Sequence, residues 1–236
     1  MEVSLSFEVS SSKDLSIMVD QLRASTTITV ALEKFKKVIP TFTPEQAIEM
    51  SKKHNGVLAG ERNGMKIEDF EIGNSPVDIN NYTTKKKVLI LTTSNGTRIL
   101  KDMTAKTILI GGLINAKAVA EAAVEKATSH IDLVMAGWKG NFTIEDYLAC
   151  GEILYQINRI KQRKNLNIEF SEYSQSAILA SRDEFALIEH ILNSGSANRL
   201  EKLGLSRDTD FCLKKNISNN VGIYNQDVIK PYIPKQ

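Results

Sequence analysis

The sequence has few cysteines, no long apolar run and almost no net charge. Its 236 residues include two cysteines, Cys150 and Cys212, which are too few for a disulfide framework and lack the spacing of metal ligands. The apolar runs are far shorter than the roughly 20 residues that span a bilayer. The net charge of +2 indicates no partner that is a nucleic acid or a membrane surface. We therefore expect a protein of the cytoplasm with free thiols.

Sequence motifs of several common enzyme classes are also missing. The chain has neither a glycine-rich dinucleotide fingerprint nor a G-x-x-x-x-G-K-[ST] loop, which argues against enzymes of NAD and of nucleoside triphosphates. His54, His130 and His190 have no neighbouring nucleophile, so a histidine-based triad has little support. The basic run at 159–164 lacks interleaved aromatic residues and suits a solvated helix end better than a nucleic-acid patch.

What the sequence does contain is a repeated alternation of short apolar runs and amphipathic stretches. The runs typical of strands lie at 15–20, 37–42, 57–60, 85–93, 107–112 and 131–137. This alternation predicts an α/β fold of three layers, with a mostly parallel or mixed sheet and helices on both faces. We expect residues 1–165 to form the main α/β region. Residues 166–236 should form a helix-rich C-terminal region packed on it.

Local signals predict several finer features. The alternating segment 1–10 is typical of an edge strand, which we expect to lie antiparallel beside 15–20. Residues 61–84 lack a clear period and should form a long ordered loop. Asn115 is predicted to cap a helix. From residue 172 onward we expect two or three helices and then two short strands, at 211–215 and 221–225.

Polar side chains follow the ends of several predicted strands. In open α/β sheets, ligands bind at this carboxyl edge. The residues that stand there are 20–27, 60–64, 92–97 and 137–141, with Glu145 and Asp146 on the first turn of the next helix. Helix N-termini and arginines bind phosphate oxygens, and Mg²⁺ usually takes one or two carboxylates, with waters and substrate phosphate. The pattern therefore indicates an anion site, most simply for a phosphoryl group with a hard metal.

Each of these residues also has a purely structural interpretation. Asp20 suits a helix cap or a turn, and Asp146 suits a capping box that begins at Thr143. The segments 73–76 and 94–96 suit plain turns. Spacing by itself therefore predicts only an anion-binding α/β protein.

Five sequence blocks resemble the 2-phosphosulfolactate phosphatase family. They are VDQLRASTT at 19–27, LAGERNG at 58–64, IGNSP at 72–76, TTSNGTRIL at 92–100 and AG…EDYLACGE at 136–152. Their order and separations match from about residue 15 to 155, and a weaker match follows at 194–215. Near the C-terminus, the family has an acid and a Val-Pro pair where this chain has Asn216 and Val221-Gly222.

The resemblance implies a Mg²⁺-dependent hydrolase that converts (2R)-phospho-3-sulfolactate to 3-sulfolactate and phosphate in coenzyme M biosynthesis. The implied catalytic residues are Asp20, Arg23, Glu61 and Arg62. The implied metal ligands are Asp20, Glu61, Glu145 and Asp146. The implied substrate-binding residues are Ser25, Asn74, Ser75, Thr93, Asn95, Gly96, Thr97 and Lys139.

Three alternatives stay open at this stage. The nucleophile is either a metal-activated water or a carboxylate such as Asp20. The protein could instead hydrolyse another small acidic phosphate ester, or it could be a non-catalytic anion-binding domain. We expect a small anionic partner, with no nucleic acid and no membrane, while the sequence leaves open whether the chain forms a homo-oligomer.

Overall fold

The computed structural model describes residues 1–234, and its strands form one sheet of 11 strands. The strands are β1 (Glu2–Phe7), β2 (Leu15–Val19), β3 (Lys37–Thr41), β4 (Val57–Arg62), β5 (Met65–Lys66), β6 (Val88–Thr92), β7 (Thr107–Gly111), β8 (His130–Met135), β9 (Glu169–Phe170), β10 (Gly222–Asn225) and β11 (Val228–Pro231). The helices are α1 (Ala24–Lys34), α2 (Pro44–His54), α3 (Pro76–Asn81), α4 (Gly96–Asp102), α5 (Ala116–Lys126), α6 (Ile144–Lys164), α7 (Glu172–Ala180), α8 (Glu184–Leu192), α9 (Gly195–Lys202) and α10 (Ser206–Cys212). None of these helices is long and apolar enough to cross a membrane.

Apart from the short β5, which is antiparallel to β4, the sheet consists of two parallel halves that a C-terminal hairpin joins. Its order is β5-β4-β6-β3-β11-β10-β7-β2-β8-β1-β9. Strands β4, β6 and β3 are mutually parallel, and so are β7, β2, β8, β1 and β9. The hairpin β10–β11 is antiparallel to β7 on one side and to β3 on the other. The described part of the C-terminal region, residues 166–234, therefore supplies strands at the centre of the sheet as well as helices.

Apolar residues on both faces of the sheet are covered by helices. In β2, Ile17 and Val19 pack with α5 and α6, whereas Met18 packs with α1, α3 and α4 on the other face. This alternation follows from the opposite directions of successive side chains in a strand. In the other half of the sheet, α2 places Ala47 against Ile90 of β6. The predicted three-layer α/β fold is confirmed.

Two predictions about strands were wrong. Strand β1 does not lie antiparallel beside β2, but pairs in parallel with β8 and β9. The buried Asp132 of β8 accepts hydrogen bonds from the hydroxyls of Ser4 and Ser6, which stabilises that register. The predicted strand at 211–215 begins in α10 instead, while the one at 221–225 is confirmed as β10.

Three predictions about loops and helices also need correction. The segment 61–84 contains β5 and the helix α3, which starts at Pro76 and is capped by the Ser75 hydroxyl at 3.1 Å from the Asp78 amide. Asn115 does not cap α5 with its side chain, because its Oδ1 accepts the Gly112 amide at 3.0 Å within a short 3₁₀ turn. Beyond residue 172 the chain forms four helices, α7 to α10, one more than the largest predicted number.

Candidate active site

A polar cleft lies at the carboxyl edge of the sheet, as expected for an open α/β fold. Its lining comprises Asp20, Leu22, Arg23, Glu61, Gly64, Asn74, Ser94, Asn95, Trp138, Ser196, Arg199 and Leu200. The loops after β2, β4, β6 and β8 supply most of these residues, and α9 supplies the last three.

Asp20 follows β2 and is 7% exposed. Its Oδ1 accepts the Ala24 amide at 3.1 Å, while its own amide donates to the Ser25 hydroxyl at 2.9 Å. A Cβ atom at Gly96 would lie 2.8 Å from Asp20 Oδ2, so a glycine is needed for this approach. Burial, together with the charges of Glu61 and Glu145, raises the pKa of Asp20 to about 6.

Glu61, the penultimate residue of β4, has its carboxylate fixed by two backbone amides. The Ser94 amide donates to Oε1 and the Gly64 amide donates to Oε2, both at 2.7 Å. These bonds join β4 to the loop after β6 and hold the carboxylate in the cleft with Asp20. Glu61 is therefore suited to present its carboxylate to a ligand in one fixed orientation.

Both carboxylate oxygens of Asp146 accept hydrogen bonds from other residues of the protein. Its Oδ1 accepts the Gln21 amide at 2.8 Å, and its Oδ2 accepts the Gly137 amide at 2.9 Å and the Thr143 hydroxyl at 2.8 Å. Burial, and then the charges of Glu145 and Asp20, raise the pKa of Asp146 well above its usual range. The predicted capping box does not form, because the Thr143 side chain makes no capping hydrogen bond and Asp146 accepts the Thr143 hydroxyl, not its amide. Asp146 instead joins the loops after β2 and β8.

Glu145 lies beside this group of carboxylates, and the side chain is almost fully buried. It is 2% exposed and contributes to the raised pKa of both Asp20 and Asp146. It borders an adjoining cleft that shares Trp138 and Arg199 with the first one. The structure thus brings all four predicted metal ligands together at one edge, although only Asp20 and Glu61 line the same cleft.

Arg23 is held by a buried residue that sequence reasoning missed. Its Nη1 lies 2.5 Å from Oδ2 of Asp208, which is fully buried, and its Nη2 donates to the Gly64 carbonyl at 2.8 Å. The other oxygen of Asp208 accepts the Ser75 hydroxyl at 2.6 Å. Asp208 lies in the weakly matching block at 194–215, and that match was the one available signal for it.

Arg62 points away from the cleft that contains Asp20. Its guanidinium donates to the carbonyls of Glu61 and Phe42, at 2.6 and 2.9 Å, and to the Thr92 hydroxyl at 2.9 Å. Glu61 and Arg62 are successive residues of β4, so their side chains leave opposite faces of the strand. Arg62 instead borders a neighbouring cleft.

Two of the predicted substrate-binding residues, Asn74 and Asn95, line the cleft itself. Asn74 is 4% exposed, and its side-chain oxygen is buried without a hydrogen-bond partner among the described residues. The Asn95 side-chain oxygen accepts the Lys139 amide at 3.4 Å. An unpaired buried oxygen is costly, so Asn74 is suited to contact a ligand.

The other predicted substrate-binding residues mainly support the surrounding loops. Ser25 and Gly96 contact Asp20, and Ser75 binds Asp208. The Thr97 hydroxyl donates to the Thr93 carbonyl at 2.8 Å. Lys139 is exposed, with its Nζ 3.2 Å from Asn63 Oδ1 and 4.8 Å from the centre of the Trp138 ring.

Arg199 is a second residue that sequence reasoning missed. Its guanidinium carbon lies 3.8 Å from the centre of the Trp138 ring, a close cation–π contact. Ser194 caps α9 by accepting the Ala197 amide at 3.1 Å. Ser196, Arg199 and Leu200 then share one helix face, which the spacing i, i+3, i+4 produces, and this face borders the cleft.

The donor atoms in the cleft suit Mg²⁺. Residues 1–234 contain no group of three or more histidine, cysteine, aspartate or glutamate side chains arranged to hold a metal ion. Mg²⁺ does not need such a group, because it usually takes one or two carboxylates and completes its shell with waters and substrate oxygens. The carboxylates of Asp20 and Glu61, with the unpaired oxygen of Asn74, form an oxygen donor set of this kind.

Comparison with known proteins identifies the family of the chain. The family model described as 2-phosphosulpholactate phosphatase matches residues 4–227. A 2-phosphosulfolactate phosphatase of Methanothermobacter thermautotrophicus is 44% identical over 98% of this chain and 95% of its own. One of Methanocaldococcus jannaschii is 39% identical over 92% of both chains. A probable enzyme of the same name from Clostridium tetani is 38% identical over 92% of this chain and 93% of its own. The chain belongs to the 2-phosphosulfolactate phosphatase family.

Proposed function

We propose that the protein is a Mg²⁺-dependent phosphatase that hydrolyses (2R)-phospho-3-sulfolactate to 3-sulfolactate and phosphate. Coenzyme M biosynthesis in the cytoplasm is the corresponding cellular role. The observation that carries the proposal is the cleft in which Asp20 and Glu61 stand beside Arg23, in a chain whose relatives bear this enzyme name. A small cleft with both carboxylates and a guanidinium suits a metal together with a phosphate.

The residues of the cleft have separate roles in the proposed phosphoryl transfer. When bound, Mg²⁺ would be held by Asp20 and Glu61, with Asn74 beside them, and would neutralise charge on the phosphoryl oxygens. Asp208 and the Gly64 carbonyl orient Arg23, whose remaining N–H groups are available to the phosphate. Positioning and charge stabilisation of this kind provide most of the catalysis in phosphoryl transfer.

The two carboxylates of the cleft have different environments. Without a metal, burial and the charges of Glu61 and Glu145 raise the pKa of Asp20 to about 6, and a cation bound to this carboxylate would lower that pKa again. Two backbone amides fix the orientation of the Glu61 carboxylate. Glu61 is therefore suited to hold the metal in place.

The test is release of inorganic phosphate from phosphosulfolactate by the purified protein. We expect release with Mg²⁺, none with EDTA, and recovery when excess Mg²⁺ is restored. The variant Asp20→Asn, folded by its melting curve, should release none. Absence of Mg²⁺-dependent release by the wild-type protein would contradict the proposal and favour a non-catalytic anion-binding domain.

A panel of phosphate esters separates this activity from that of a related phosphatase. Esters with and without a sulfonate should differ in kcat/KM, in favour of phosphosulfolactate. Equal hydrolysis of the whole panel would indicate another small acidic substrate. Retention on a heparin column that weakens with salt would instead indicate nucleic-acid binding, which we do not expect.

A further inference from the structure

Arg199 is a cation on the wall of the cleft that no acidic residue neutralises. Within residues 1–234 it forms no ion pair, and its guanidinium donates no hydrogen bond. Its side chain is half-buried and stacks on Trp138 at 3.8 Å. A guanidinium that is fixed by stacking and keeps all its N–H donors free is preorganised to bind an anion.

The other cations near the cleft are already engaged. Arg23 is paired with Asp208 and the Gly64 carbonyl, and Arg62 donates to two carbonyls on the other face of β4. Lys139 is exposed and lies close to Asn63. Arg199 is thus the cleft arginine with its full set of donors available to a ligand.

We propose that Arg199, held against Trp138, binds the sulfonate of the substrate and thereby determines specificity. This inference rests on the proposed function, because the phosphate has to lie beside Asp20, Glu61 and Arg23. Of the two other anionic groups in phosphosulfolactate, the sulfonate lies one bond further from phosphorus than the carboxylate. It is therefore the group better able to reach the wall that α9 supplies.

Trp138 provides a direct readout of this contact. It is the one tryptophan of the chain, so the protein's tryptophan fluorescence reports on the ring that stacks on Arg199. Titration with 3-sulfolactate should change the emission in a saturable way. Lactate, which keeps the carboxylate but lacks the sulfonate, should leave the emission nearly unchanged at the same concentrations.

The decisive variant is Arg199→Met, which removes the charge and keeps much of the side-chain volume. The matched control is Arg182→Met, the same change at an exposed arginine between α7 and α8. We expect Arg199→Met to weaken the 3-sulfolactate response at least about tenfold, the equivalent of about 1.4 kcal/mol, and Arg182→Met to leave it unchanged. A melting curve and the response to inorganic phosphate check that each variant is folded and keeps its phosphate site.

Steady-state kinetics gives a second, independent measure. The preference of the enzyme for phosphosulfolactate over phospholactate, as a ratio of kcat/KM, should fall at least about tenfold in Arg199→Met. The inference is overturned if lactate and 3-sulfolactate give the same response, if 3-sulfolactate gives none, or if Arg199→Met keeps the preference. If the wild type binds 3-sulfolactate through Arg199 but releases no phosphate, the proposed function fails, while the assignment of Arg199 as a sulfonate-binding residue stands.

Discussion

Replacing Asp208 by Asn should destabilise the protein strongly, because it removes the charge that neutralises buried Arg23. The Arg23 side chain is 3% exposed and that of Asp208 is 0% exposed, and the two charged atoms lie 2.5 Å apart. Loss of one partner from a buried ion pair costs about 3–5 kcal/mol. For a chain of this size, 3 kcal/mol corresponds to a fall in Tm of roughly 6–12 °C.

The chain contains a matched control for this substitution. Arg207 and Asp78 form an ion pair with the same 2.5 Å separation, but their side chains are 57% and 39% exposed. An exposed pair contributes at most about 1 kcal/mol, so Asp78→Asn should lower Tm by less than about 4 °C.

Thermal unfolding of both variants, followed by circular dichroism, measures the difference. At a temperature well below both transitions, Asp208→Asn should also reduce kcat/KM for phosphosulfolactate at least about tenfold, because Arg23 loses its orientation. Asp78→Asn should keep wild-type kinetics. Equal losses of Tm in the two variants would show that burial does not set the strength of the Arg23–Asp208 pair, and the reasoning would be refuted.

Four further substitutions test the site. Burial raises the pKa of Asp20 from 3.8 to about 6, so ionisation of Asp20 lowers the stability of the wild-type protein as pH rises through that range. With EDTA present, Asp20→Asn should therefore match the wild-type Tm near pH 4 and exceed it by several degrees at pH 8. A constant Tm difference across this range would contradict the shift. Arg23→Lys should lower kcat/KM at least about tenfold, whereas Arg62→Lys should lower Tm and change kcat/KM less than about threefold. The reverse pattern in steady-state assays would show that Arg62, and not Arg23, contacts the substrate. Asp146→Ala leaves the buried amides of Gln21 and Gly137 without an acceptor, at roughly 1–3 kcal/mol each, so Tm should fall, and an unchanged melting curve would refute this role.

The sequence alone determined the class of fold and the edge that carries the site. Runs such as 15–20 and 131–137 are short, apolar and followed by helical patterns, and these local signals depend on neighbours in the chain. The same logic located Asp20 and Glu61 at strand ends, and in the structure both line one cleft. The resemblance in five sequence blocks, among them 19–27 and 58–64, already indicates the family.

The tertiary structure decided which residues face one another. Arg23 and Asp208 are 185 residues apart in the chain, and no periodicity predicts a contact at that separation. Side chains in a strand alternate between its two faces, so the face on which Arg62 lies depends on the register of β4 in the sheet. Likewise, the stacking of Arg199 on Trp138 arises where α9 packs beside the loop after β8. These contacts join residues that are far apart in the chain, so local sequence patterns do not predict them. Long-range packing therefore determines which polar residues at the edge of the sheet form one site.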